Sequence, residues 1–206
     1  MNNSFEAHSL FPKYVFKKNI GVEKEIIDFC SQQEFKRMES NNGDFSNNFQ
    51  ILKNVPVDLD KTLLRHVRIF LEKGLCLNLH KHWPEIVCSW IVRHGKNDFA
   101  HNHWHENSHF SCVYYINQEE NGNIWLENDA KSNITYSGFK FEYTDDNSFN
   151  CNNYKLDVKS GDLIMFPSCM LHNVEKNIKD TYRYSLAFNV FMKGSFGNDE
   201  YQLEIR

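Results

Sequence analysis

Gly161-Asp-Leu-Ile-Met-Phe-Pro-Ser-Cys-Met-Leu-His172-Asn-Val174 reads as a turn, an apolar strand, a proline-bearing bend and then one histidine. Eleven positions beyond His172, Arg183 opens a second apolar stretch, Arg183-Tyr-Ser-Leu-Ala-Phe-Asn-Val-Phe191. Successive strand side chains point to opposite faces. Arg183, Ser185, Ala187 and Asn189 therefore share one face, and Tyr184, Leu186, Phe188 and Val190 the other. An arginine among small residues on an inward face is costly to bury without an anionic partner. Either an acidic side chain or a dicarboxylate ligand, gripped through a bidentate guanidinium pair, meets that need.

Working outward, the second half of the chain is built from strand signals. Ile86–Val92, Phe110–Ile116, Asn123–Leu126, Tyr154–Val158, Leu163–Phe166 and Tyr182–Phe191 are rich in β-formers. Asn121-Gly122 and Ser160-Gly161-Asp162 punctuate them as turns, with Asp162 capping backbone groups. The first half reads as helical. Apolar residues recur at helical intervals from Val22 to Met38 and again from Asp58 to Leu79, with Gly74 marking an end. Glu39–Asn48 looks like a mobile loop. Helices first and antiparallel strands later predict an α+β domain, with helices outside a β-sandwich or barrel. One domain spans 1–206: 1–82 is mainly helical support, and 83–206 is the β core. An insertion at about 127–153 interrupts that core and reads equally as a substrate cover or a surface excursion.

Ten histidines are spread over the chain, four of them within nine residues: His101, His103, His105 and His109. On an extended strand His101, His103 and His105 share a face, and neutral imidazoles on alternate positions can meet one ion. A solvated histidine-rich surface is the competing reading. His80 and His82 read as surface, Trp90 and Trp125 as core, and Trp104 as packing on the side away from the histidines.

The 206 residues are 41% hydrophobic and 15% aromatic, enough to form a compact core. A net charge of −4 gives no sign of a nucleic-acid or anionic-membrane partner. None of the six cysteines forms a C-x-x-C pair. The N-terminus lacks a basic-then-apolar leader, and no apolar run approaches the ~20 residues of a membrane span. The expectation is a cytoplasmic protein with reduced cysteines, mostly as small core residues.

Taken in order, His103-Trp-His105, Ser-Cys-Val-Tyr-Tyr115-Ile-Asn, Gly161–Val174 and Arg183–Asn189 resemble the 2-oxoglutarate/Fe(II) oxygenase superfamily. The likeness is to a group in bacteria and phages with segments of the form H-x-H-P-x-S-x-L-S-G-V-Y-Y, G-x-L-x-x-F-P-S-x-L-x-H-x-V and R-x-S-x-x-F-N. It runs from Trp90 to Phe191 apart from the insertion. It implies a double-stranded β-helix, the jelly-roll or cupin-like barrel, with the N-terminal helices outside. His103 and His172 match iron ligands. Arg183 matches the residue pairing with the far carboxylate of 2-oxoglutarate, Ser185 its hydroxyl helper, and Tyr115 a tyrosine facing the cosubstrate. Asn189 is expected near the arginine, either bonding substrate or cosubstrate or serving as a structural amide.

The wider superfamily places a carboxylate where His105 stands. His105 is therefore the expected third ligand, with Glu106 on the wrong parity and Asp98 remote. The implied activity is hydroxylation: Fe(II) and 2-oxoglutarate couple oxidative decarboxylation to C–H oxidation of a substrate the sequence does not name. A protein side chain or metabolite is favoured over nucleic acid. A cupin-like three-histidine metalloenzyme without 2-oxoglutarate, and a non-catalytic metal-binding relative, are the alternatives.

Overall fold

The computed structural model describes residues 6, 8, 10, 12–118, 122–128, 141–198 and 200–206. Its strands, in chain order, are β1 (Phe16–Asn19), β2 (Phe35–Met38), β3 (Gly43–Ser46), β4 (His82–His94), β5 (Ala100–His103) and β6 (Phe110–Tyr115). They continue with β7 (Ile124–Glu127), β8 (Asn153–Leu156), β9 (Asp162–Pro167), β10 (His172–Val174), β11 (Arg183–Phe196) and β12 (Leu203–Ile205). Two α-helices, α1 (Lys24–Ser31) and α2 (Leu59–Ile69), lie between the early strands, and α2 continues into a π-helical turn, Phe70–Gly74.

The large sheet runs β1-β9-β6-β11-β4-β3-β2, with β12 added to β11; the small sheet runs β5-β10-β7-β8. Neighbouring strands in both pair antiparallel. Period-two alternation divides the interior into separate cores. From β11, Leu186, Phe188 and Val190 pack with Ile91, Tyr114 and Leu163 against Ile26, Leu63, Val67 and Leu71 of the helices. The opposite face of the large sheet meets the small one: Tyr115, Ile164 and Phe166 pack on Ile124, Leu126 and Leu156. These are helices outside and two antiparallel sheets face to face, the double-stranded β-helix arrangement.

The N-terminal segment departs from the mainly helical expectation. The first helix stops at Ser31, and Phe35–Met38 forms β2. Alternation takes over there: the Phe35 ring lies 6.0 Å from Tyr184, with the Arg93 guanidinium 4.2 Å above it. Glu39–Asn48, expected to be mobile, holds a 3-10 turn and β3. Asp44 anchors this strand by binding Arg93 at 2.8 Å, and Phe45 is buried. Polar composition concealed a strand held by an ion pair. Asn121 of the expected tight turn, and residues 129–140 of the insertion, lie outside the described residues. Residues 141–152 are irregular, with a turn at 148–150. Of the cysteines, all free, Cys30 and Cys112 are buried, Cys88 and Cys151 half-buried, and Cys76 and Cys169 exposed, so only two are core residues. Asp162 caps as expected, its Oδ2 accepting from the Lys159 backbone N–H at 3.0 Å.

One carboxylate ties the small sheet together. Glu175, next after β10, accepts from Trp125 Nε1 at 2.9 Å and from the backbone and side chain of Asn123 at 3.2 and 3.1 Å, and pairs with Lys155 at 3.0 Å. Trp125, expected in the core, is instead half-buried on this carboxylate. Desolvation pushes the Glu175 carboxyl up, but the bonds from Lys155, Trp125 and Asn123 outweigh it and hold the carboxyl below its ordinary value.

Two stability predictions follow from this packing. Phe188→Ala removes a ring that is 0% exposed, and chemical denaturation should show a loss of about 3–5 kcal/mol. A depressed carboxyl contributes stability that is present above its unfolded value of about 4.3 and fades as pH falls through the folded one. The melting-temperature gap between wild type and Glu175→Gln should therefore be full near neutrality and shrink below about pH 4. A gap that widens on acidification would contradict the assignment.

Candidate metal centre

Antiparallel pairing of β10 with β5 sets His172 directly opposite His103. Beyond the end of β5 the chain is held by the His105 backbone N–H donating to the Ser168 carbonyl at 3.0 Å. The three rings converge, with centroids 4.2 Å apart for His103 and His172 and 5.3 Å apart for each pair with His105. Their ligand-capable atoms all lie within 4.8 Å of one another.

Each Nδ1 is already engaged. That of His103 contacts the His101 carbonyl at 2.7 Å, that of His172 the Met170 carbonyl at 2.9 Å, and that of His105 Asn189 Oδ1 at 2.7 Å. A carbonyl or amide oxygen only accepts, so each Nδ1 carries the proton and each Nε2 keeps its lone pair. Burial lowers the pKa of all three, to about 3 for His172, where the neighbouring His103 adds to the effect. Three neutral, oriented imidazoles form a donor set suited to a divalent transition metal, so these residues fit one.

His101 does not join them. Strand parity put it on the same face, but its ring is exposed and rests edge-on to Phe99; only its carbonyl takes part. Glu106 is exposed. Asp98 is committed to Arg37 at 2.8 Å and to the Gly95 backbone N–H at 2.9 Å. The His82 ring packs on Phe196, away from the group. Trp104 is 57% exposed rather than packed.

A cavity of about 120 Å³ between the sheets joins the three histidines to Arg183, Ser185 and Tyr115. Arg183 is 6% exposed. Its Nη2 donates to His94 Nδ1 at 2.9 Å and to the Glu175 backbone carbonyl at 3.2 Å, while Nη1 has no partner. Among the described residues no acidic side chain pairs with it, because the carboxylate of Glu175 is held by Trp125, Asn123 and Lys155. Burial without a counter-charge pulls the guanidinium down to about 10, still fully charged near neutrality. The Tyr115 phenol is pushed up by burial, so it is protonated and can donate. The cavity thus holds a cation, a phenol and a hydroxyl at one end and three imidazole lone pairs at the other.

Asn189 lies at the imidazole end, not beside the arginine. Its Oδ1 accepts from His105 and from Ser111 Oγ at 3.1 Å. Ser111 also meets Ser168 at 3.0 Å, which binds Ser108 at 2.8 Å. Sequence reasoning missed His94, the closeness of Gly122 to Arg183 and the place of Trp90 on the cavity wall. His94 ends an apolar strand and gives no signal except its register opposite Arg183. Trp90 is buried as expected, yet it lines the cavity 5.5 Å from the His105 ring, with its indole N–H unpartnered.

Residues 88–189, about half of the chain, match the family described as "Putative 2OG-Fe(II) oxygenase". No curated protein matches the chain. Among solved structures, a Pseudomonas putida prolyl-4-hydroxylase is similar at TM-score 0.55 and 14% identity, covering 86% of this chain and 92% of that one. HygX from Streptomyces hygroscopicus, with nickel, 2-oxoglutarate and hygromycin B bound, is similar at TM-score 0.55 and 10% identity, covering 87% and 83%. A Trichoplax adhaerens prolyl hydroxylase in complex with a hypoxia inducible factor peptide fragment is similar at TM-score 0.57 and 13% identity, covering 86% and 83%. At such identities the likeness is one of fold, while the family match falls on the strands that carry all three histidines and Arg183. Through residues 88–189, the chain belongs to the 2-oxoglutarate/Fe(II) oxygenase family.

Proposed function

We propose that this protein is a hydroxylase in which His103, His105 and His172 hold Fe(II) through Nε2 and Arg183 receives the far carboxylate of 2-oxoglutarate. The observation that carries the reading is a buried arginine without an acidic partner, sharing one cavity with three imidazoles whose Nε2 atoms are free. A buried guanidinium needs an anion, and a ligand with a carboxylate at each end answers both the cation and the metal.

When bound, iron and 2-oxoglutarate supply oxidative decarboxylation coupled to C–H oxidation. The protein's part is placement. His101, Met170 and Asn189 fix the three rings through their Nδ1 protons. Arg183 grips the carboxylate, with Tyr115 donating from a fully protonated phenol and Ser185 beside it. Asn189 acts on the metal end, through His105. Trp90, Val113 and Ala187 give the cavity apolar walls that exclude water. The substrate is a protein side chain or a metabolite in this reading; the net charge of −4 disfavours nucleic acid. Among the described residues no helix is long and apolar enough to cross a membrane, and six free cysteines suit a reducing, cytoplasmic setting.

Anaerobic addition of Fe(II) and then 2-oxoglutarate should give a weak visible charge-transfer band, and admitting oxygen should yield succinate. Arg183→Ala should retain metal and lose 2-oxoglutarate affinity; unchanged cosubstrate affinity would point to a three-histidine enzyme of another kind. Asn189→Leu removes the acceptor for His105 Nδ1, and metal titration should show affinity lowered about 10–100-fold. Unchanged affinity would mean either that Ser111 Oγ, 3.0 Å from His105 Nδ1, holds the ring by itself or that His105 is not a ligand, and metal titration of His105→Ala separates the two.

A further inference from the structure

In the antiparallel register of β4 and β11, the last residue of β4, His94, stands directly opposite the first residue of β11, Arg183. His94 is 3% exposed and Arg183 6%. Their contact is a 2.9 Å hydrogen bond between Arg183 Nη2 and His94 Nδ1. A guanidinium has only donors, so Nδ1 is the acceptor and the imidazole proton sits on Nε2. That N–H is buried without a partner, a cost the fold bears at this position.

The surroundings are shaped for the pair. A Cβ on Gly43 would stand 2.9 Å from His94 Cδ2 and Nε2, so only glycine leaves the ring its place. A Cβ on Gly122 would lie 1.5 Å from Arg183 Nη1, and Gly122 has a φ of +92° besides. The second acceptor on the guanidinium is a backbone carbonyl, that of Glu175. Among the described residues, both groups that orient Arg183 are thus uncharged. Burial and the adjoining guanidinium hold His94 near a pKa of about 3, so it stays a neutral acceptor at any ordinary pH.

Why an imidazole here and not a carboxylate follows from electrostatics. An Asp or Glu would orient the arginine equally well, but it would cancel the charge and compete with the incoming anion. A neutral acceptor fixes the plane of the fork and leaves its charge uncompensated until a ligand carboxylate arrives.

We propose that His94 is the positioning residue of the cosubstrate site: as a neutral cross-strand acceptor it aims Arg183 at a dicarboxylate and so sets the preference for dicarboxylate over monocarboxylate keto acids. This rests on Arg183 being the carboxylate receptor. The measurement is calorimetric binding of 2-oxoglutarate and of 2-oxopentanoate, which lacks the far carboxylate, to nickel-loaded protein.

His94→Phe keeps a flat ring without the acceptor. It should weaken 2-oxoglutarate binding about tenfold, the scale of a lost bond to a charged group, and leave 2-oxopentanoate unchanged. His94→Asn and His94→Asp are nearly isosteric, so their comparison isolates charge. Asn should stay within about threefold of wild type and Asp should bind 2-oxoglutarate at least about tenfold more weakly than Asn. This pair decides the matter even if the Phe variant fails to fold. Equal weakening of both keto acids in the Phe variant would mark general damage and overturn the proposal. So would Asp binding 2-oxoglutarate as well as Asn. If Arg183→Ala loses 2-oxoglutarate while the His94 variants do not, the positioning role falls and the receptor role stands. If Arg183→Ala binds normally, both fall.

Discussion

The register of β11 is the constraint on which the rest depends. A slip of one residue along β4 and β6 would turn Arg183, Ser185, Ala187 and Asn189 toward the helices and push Leu186, Phe188 and Val190 into the polar cavity. Burial on both faces makes such a slip costly twice over. Three of the helix-facing side chains are 0% exposed, and the cavity face has specific partners at its two ends: His94 for Arg183 and His105 for Asn189. Chemistry and stability are therefore set by one alternation, and neither can drift without the other.

The charge pattern of the cavity follows from what the fold leaves unpaired. Among the described residues the nearby acidic groups are occupied: Glu175 on the small sheet, Asp98 on Arg37, Asp44 on Arg93. The three imidazoles are neutral by virtue of burial, which outweighs the Nδ1 bonds that by themselves favour the charged form. In the proposed reading, a divalent ion and Arg183 then add three positive charges with no carboxylate of the described residues pairing with them. A site with a carboxylate ligand would carry one fewer. Such a cavity favours a dianion strongly and would hold it tightly, because little solvent reaches the walls to screen the interaction.

Much of this was legible in the sequence, for a physical reason. Strand parity is strict, so the Arg183–Asn189 face could be read from spacing, while His103 and His172 stand out through the resemblance of their motifs together with that parity. Parity fails at an irregularity: β5 has one residue more than β10 between Ala100 and His103, so His101 turns out to solvent, while His105, past the end of β5, is brought in through its backbone bond to Ser168. Register between strands has no local signature at all. That hid His94 opposite Arg183 and moved Asn189 from the arginine to the histidines. In the N-terminal third, β2 and β3 are four residues each and rest on ion pairs and a cation–aromatic contact. Their sequences carry no apolar run to announce them.

The placement of the first two strands bears on how the chain assembles. β1 and β2 lie only 15 residues apart in sequence, yet they occupy opposite margins of the large sheet. Across six strand spacings that is about 29 Å along the hydrogen-bonding direction. The intervening segment with α1 acts as a belt across the back of the sheet. β1 docks on β9, more than 140 residues downstream, and β2 reaches the sheet only through β3. The β2 margin needs only β3 and β4, but the β1 margin cannot be covered until β9 exists. During synthesis the belt must wait, and folding is slow to begin because its closing contacts span most of the chain. Once the sheet is closed, its rims are β1 and β2, only four residues each and carrying lysine or arginine, a form of edge that discourages pairing with other molecules.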